Sequence, residues 1–317
     1  MYKKTRKKRL KHEAFRAACM LFGPLVFYEL CTEAAAAGCS LFAGRTGTGS
    51  SHSLLAGSGN ALFVTGAGAA LAFPFLFAVY RALEKMQLIG QGTEEKNAKK
   101  TTATRTKTTV PEIAKARPCR NHRLLAGCFF SVLAGIGSCL CLNMVLQVFL
   151  PPSEGWSHVQ EAIYQTPGAL RFLVTVVLTP LTEELIFRGF IHKELRRHMG
   201  TAAAVIFGAL LFGLYHGNLS QGLYAFLTGL CLELVTVWSG RLAPAVLCHA
   251  AANATAAAIP VIADFISHRS EIPPMPAEFS YGAPMALQPQ TAVILSAAGL
   301  LVTLVSLYKT KEVFEKA

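Results

Sequence analysis

The feature that most limits what this chain can fold into is a recurring apolar run of membrane-spanning length. Such runs cover residues 17–37, 61–80, 124–150, 170–187, 202–215, 222–238, part of 242–262, and 291–308. About 20 apolar residues in a helix cross ~30 Å of hydrocarbon. The backbone must satisfy its own polar groups there, which favours helices. The composition agrees, with 52% apolar and 15% charged residues. The run at 202–215 is too short to cross comfortably. The expected class is all-α, a polytopic integral membrane protein.

Charge placement orients the spans. Of 30 Lys and Arg, most cluster at residues 1–16, 81–123, 188–197 and 309–316, at alternate ends of the apolar runs. That is the positive-inside pattern. Counted from a cytosolic N-terminus, about eight crossings bring each basic cluster to the cytosolic side, with both termini inside. The +12 formal charge is therefore read as topology and lipid contact, with the bilayer as partner. Nucleic acid is not expected, because no aromatic residue lies between Glu84 and Arg123 for a base to stack on. The nine cysteines form no CxxC pair and sit mostly in apolar runs, so they are read as small packing residues.

Taken in order, residues 1–16 are a basic cytosolic head and 17–83 carry two transmembrane helices. The first run contains Glu29 and Glu33, which make it a mediocre span. Ala36-Ala37-Gly38-Cys39 loosely matches a lipoprotein cleavage site, but an uncleaved helix is the expectation. Residues 84–123 read as a basic, disordered cytosolic linker. Residues 124–167 hold a third span and an outer interfacial segment with Trp156 and Tyr164. Residues 168–260 form a core, and 261–317 an outer loop, a last span and a basic tail.

The core is where ionisable groups enter apolar runs, and such groups are functional candidates by default. Glu183 and Glu184 are adjacent, and Arg188 lies four residues beyond Glu184, on the same helix face. Glu183 points about 100° away from Glu184. Arg188 can therefore neutralise one acid and leave the other as a general base or metal ligand. Pro180 cannot donate to the carbonyl of Val176, so the helix is loosened just before the acids. His216 closes the short fifth run four residues after Phe212. His249 and Asn253, four apart in the seventh run, share a face among small residues that permit close helix approach. Glu233, in the sixth run, belongs to no motif but can contact the site. His192 and His198 lie on a basic interfacial segment and are expected to be solvated.

EExxxR, FxxxH and HxxxN, in that order on successive apolar segments, resemble the CAAX-protease and bacteriocin-processing (CPBP, or Abi) family of intramembrane proteases. That family includes the type II CAAX prenyl endopeptidase. The resemblance covers about 168–260. It implies eight helices enclosing a polar cavity open to the cytosol. It further implies that Glu183 and His216 activate a water, that His249 and Asn253 stabilise the oxyanion, and that Glu184 and Arg188 orient the helix. The implied substrate is a peptide or the C-terminal tail of a membrane protein. No cofactor is expected on a glutamate mechanism. The alternative is a zinc ion held by Glu183, His216 and His249. No HExxH, GxSxG or GxGD motif is present. A proton-coupled transporter and a non-catalytic scaffold or immunity protein are the competing functions. The expected location is the plasma membrane of a bacterium.

Overall fold

The computed structural model describes residues 2–46, 59–101, 121–149, 154–269 and 289–315. The chain is all-helical, with no strand among the described residues. In order, the helices are α1 (Tyr2–Thr46), α2 (Gly59–Thr101), α3 (Asn121–Phe149), α4 (Glu154–Gln165), α5 (Gly168–Phe172), the π-helical turn π1 (Leu173–Leu178), α6 (Thr179–Glu184), a second π-helical turn π2 (Leu185–Ile191), α7 (His192–His198), α8 (Thr201–Tyr215), α9 (Leu219–Ser239), α10 (Leu242–Arg269) and α11 (Pro289–Glu315).

Six helices are long and apolar enough to cross a membrane, in α1, α2, α3, α9, α10 and α11. The two other apolar runs are the rod from Gly168 to His198 and the shorter α8. Large apolar side chains point outward all round, among them Phe22, Leu71, Phe129, Leu210 and Leu301. An apolar exterior of that extent is what lipid requires. The polar end of α2 reaches Thr101 as helix, well into the segment whose composition reads as a linker. Residues 102–120, the rest of that segment, lie outside the described residues, as does most of the outer loop at 270–288.

The rod from Gly168 to His198 is one continuous path, because every joint between its segments keeps right-handed helical angles. The first of its π turns, π1, has a local cause. Pro180 has no N–H to give, and its ring would crowd the preceding turn. Widening that turn relieves the crowding, and the Thr179 N–H reaches back five residues to the Val174 carbonyl. Thr182 Oγ1 donates to the Leu178 carbonyl at 2.9 Å, four residues back. The loosening expected around Pro180 therefore takes the form of a π turn, a feature frequent at functional sites.

The rod is wrapped by α1, α2, α8 and α10. Leu185, Ile186, Phe187, Phe190 and Ile191 are buried against Tyr28 of α1, Ala69, Ala72 and Leu76 of α2, and Phe212 of α8. On the far side, α3 packs along α11 and α10. The α3–α11 contact is backbone on backbone. A Cβ on Gly299 would stand 2.7 Å from the Cys141 nitrogen and 2.8 Å from the Gly137 carbonyl oxygen. Small residues at such crossings let membrane helices gain dispersion contact. We expect Gly299→Leu to force these helices apart and cost about 1–3 kcal/mol. Thermal unfolding in detergent should show it as a fall in midpoint, with Ala297→Leu as the comparison substitution.

Candidate active site

Three elements converge where the sequence places its ionisable groups. α6 and π2 bring Glu183, Glu184 and Arg188. α8 ends at His216, and α10 carries His249 and Asn253. All but His216 and Asn253 are buried.

Arg188 is the hub. It is fully buried, as is Glu184. Its Nη1 donates to Glu184 Oε1 at 3.0 Å, and its Nη2 to the Gly229 carbonyl at 3.3 Å. Its Nε lies 3.5 Å from Oε1 of Glu233. The guanidinium carbon sits 4.6 Å from the centroid of the Phe212 ring, an arrangement worth more when desolvated than when exposed. The other oxygen of Glu233 pairs with Nδ1 of His192. The Glu184–Arg188 pair is the one the four-residue spacing anticipates. Glu233 enters as a further partner on α9, where the sequence offers only a lone acid. His192 differs from expectation. It is 3% exposed, because it follows Arg188 by four residues and turns to the same acid on α9.

His249 stands between the paired acids. Its Nδ1 lies 2.9 Å from Glu184 Oε1, and its Nε2 lies 3.8 Å from Glu183 Oε2. The second separation is an ion pair but too long for a hydrogen bond. Among the described residues Glu183 thus has no short hydrogen bond, while its neighbour's Oε1 is shared by Arg188 and His249, as their divergence on the helix predicts. It lies within electrostatic reach of His249 and His216. His216 Nδ1 is 2.8 Å from the Phe212 carbonyl. A carbonyl only accepts, so Nδ1 bears a proton, and in the neutral tautomer that leaves Nε2 as the acceptor. The Phe212 ring stands nearly perpendicular to both imidazoles, at centroid distances of 5.0 and 5.7 Å.

The hairpin that aims His216 is a compact turn. Gly217 takes φ +70°, a left-handed conformation natural to glycine. Asn218 then caps α9 by accepting from the Gln221 N–H at 2.9 Å. A short α8 suffices because it leans on α9 rather than crossing alone.

Asn253 has an occupation the sequence does not reveal. Its Nδ2 donates to the Thr175 carbonyl at 2.8 Å. In the π turn, the residue five ahead of Thr175 is Pro180, which has no N–H to offer. The Asn253 amide fills that acceptor and ties α10 to the π turn. One of its two N–H donors remains.

A zinc ion would need Glu183, His216 and His249 to converge. Among the described residues no three His, Cys, Asp or Glu side chains lie close enough together to hold a metal. His249 also spends one nitrogen on Glu184. This donor set does not fit the ion, and no step below is routed through one.

Residues 165–255 match the family model described as type II CAAX prenyl endopeptidase Rce1-like. Over these residues the chain is similar to that family. The matched segment spans the rod, the α8–α9 hairpin and α10 as far as Thr255, and so includes every motif residue named above. No curated protein and no solved structure matches the chain. An Rce1-like segment on apolar helices supports an integral membrane protein and, in general terms, a CAAX-type intramembrane protease.

Outside the three motifs, the Rce1-like segment holds a second buried acid group. Glu194 is fully buried. It accepts from Arg16 of α1 at 3.1 Å and faces His198 at 3.0 Å. His198 is half exposed and paired, rather than simply solvated. This contact pins the basic start of α1 to α7. On α8, Tyr215 precedes His216 and bonds to Glu29 of α1. The only signal for either contact in the sequence is an acid within or beside an apolar run.

Replacing Arg188 by Met should leave Glu184 and Glu233 buried without their shared cation. Breaking a buried pair from one side costs about 3–5 kcal/mol. Thermal unfolding of the purified protein should register that loss. The double variant Arg188→Met with Glu233→Gln should recover part of it.

Proposed function

We propose that this protein is an intramembrane endopeptidase that hydrolyses peptide bonds near the membrane surface, with Glu183 as the base. The observation that carries the reading is the division of labour between adjacent acids. Glu184 is consumed by Arg188 and His249, whereas Glu183 has no short hydrogen bond and lies within reach of two imidazoles. Two carboxylates with different surroundings take different roles.

In this mechanism a water donates one hydrogen bond to Glu183 and the other to the unprotonated Nε2 of His216. As the water oxygen attacks the peptide carbonyl carbon, its proton passes to Glu183. The carbonyl oxygen becomes the oxyanion. As an imidazolium, donating Nδ1–H to Glu184, His249 stabilises it through Nε2–H, and such a donor supplies roughly 10²–10³ in rate. Glu183 then returns the proton to the leaving nitrogen, and the C–N bond breaks. Asn253 serves as a positioning residue through Thr175, with its remaining N–H available to the oxyanion. The basic clusters at 1–16, 188–197 and 309–316 put both termini in the cytosol, and the host membrane is the plasma membrane of a bacterium. The substrate is a peptide or the C-terminal tail of a membrane protein.

The test is cleavage of a quenched peptide set that includes farnesylated C-terminal peptides, by protein in detergent or nanodiscs. Glu183→Ala and His216→Ala should each lower kcat/KM at least a hundredfold, and a chelator should leave the rate unchanged. Activity that survives Glu183→Ala would sink the assignment of the base. Loss with chelator and recovery with zinc would replace this mechanism with a metal-dependent one.

A further inference from the structure

Acids that face the rod have basic partners. Glu183 has His249, Glu184 has Arg188, Glu233 has Arg188 and His192, and Glu194 has Arg16. Glu29 differs. It lies in the apolar part of α1, inside the candidate span Lys11–Phe42, and it is exposed. Among the described residues its partner is a phenol. Tyr215 OH donates to Glu29 Oε1 at 3.2 Å. A carboxylate offers about four acceptor positions, and the phenol fills one of them. An ionisable group held at membrane depth with no basic side chain paired to it among the described residues is a functional candidate.

The location ties that ligand to the reaction. Tyr215 is the residue before His216. Both Tyr215 and the buried Tyr28 of α1 lie within electrostatic reach of Glu183 and Glu29 alike. Arg16 meets Glu194 near the basic end of the rod, and Glu29 lies 13 residues further along α1. At 1.5 Å per residue that is roughly 20 Å further along the helix. Around it, α1 exposes Phe22, Val26 and Leu30, so the carboxylate sits on an apolar surface next to the residue that precedes His216. α1 lies outside the Rce1-like residues 165–255.

We infer that Glu29 is a specificity residue that binds a basic side chain of the substrate peptide near the scissile bond, with Tyr215 holding the carboxylate in place. The inference rests on the peptidase reading above. It selects, among apolar membrane-inserted peptides, those that carry a lysine or arginine at the cleavage region.

The experiment measures binding apart from cleavage. Full-length protein carrying Glu183→Gln is placed in nanodiscs. This substitution stops turnover and removes an acid beside His249, and Glu33→Gln is added to remove the other exposed acid of the apolar run 17–37. Three fluorescent, membrane-partitioning peptides are titrated, identical except for one central lysine, norleucine or glutamate. With Glu29 intact, the lysine peptide should bind at least tenfold more tightly than the norleucine peptide. Glu29→Gln keeps an acceptor for Tyr215 and should shrink that ratio to below twofold. Glu29→Lys should invert the order in favour of the glutamate peptide. A lysine preference that persists in Glu29→Gln overturns the inference, as does the lack of any preference with Glu29 intact. Cleavage of the same peptides by protein with Glu183 restored is scored separately. Its absence counts against the peptidase, while the binding ratios still decide the role of Glu29.

Discussion

The buried guanidinium of Arg188 is the constraint on which the rest of this structure depends. One cation with five N–H donors in a fixed fork faces Glu184 on its own rod, Glu233 and the Gly229 carbonyl on α9, and the ring of Phe212 on α8. It therefore fixes three helices relative to one another from a single point. A buried charge is tolerated only when it is paired and hydrogen-bonded. In this chain the pairing and the helix arrangement impose each other. His192 and His249 extend the network at either end, so that the acids of the rod are met by groups able to carry balancing protons.

That network also explains why neighbouring glutamates differ. Helical geometry sends Glu184 toward Arg188 and Glu183 aside. The π turns on either side of α6 are the second contribution. Pro180 leaves the Thr175 carbonyl without its partner, and the Asn253 amide supplies it from α10. A defect in the backbone of one helix thereby becomes an attachment point for another. The same attachment brings His249, one turn earlier on α10, over the paired acids. The π turn before Pro180 and the placement of His249 over the paired acids thus share one local feature.

Much of the site was legible in the sequence because its pieces obey helical spacing. Glu184 with Arg188, Phe212 with His216 and His249 with Asn253 are each four residues apart. Chemistry confined to one helix can be read at that range. The contacts that escaped are those made between helices. Glu233 reads as a lone acid until α9 is seen against α8 and the rod. His192, on a segment whose composition looks interfacial, is buried because it points to that same acid. Glu29 reads only as a blemish in a first span, since its partner Tyr215 lies 186 positions away.

By itself the sequence determined that this is an all-helical membrane chain, where its apolar helices run, and which ionisable groups enter them. Hydrophobic length, the cost of unpaired backbone in lipid and the period of the α-helix are local properties that need no tertiary information. The tertiary structure alone decided which acid each cation serves. It also decided that the Asn253 amide is spent on a backbone carbonyl, and that α1 contributes to the surroundings of Glu183. Those outcomes depend on helix crossings, and a crossing is settled by packing between segments far apart in the chain, where Ångström-scale shifts determine whether two charged groups meet.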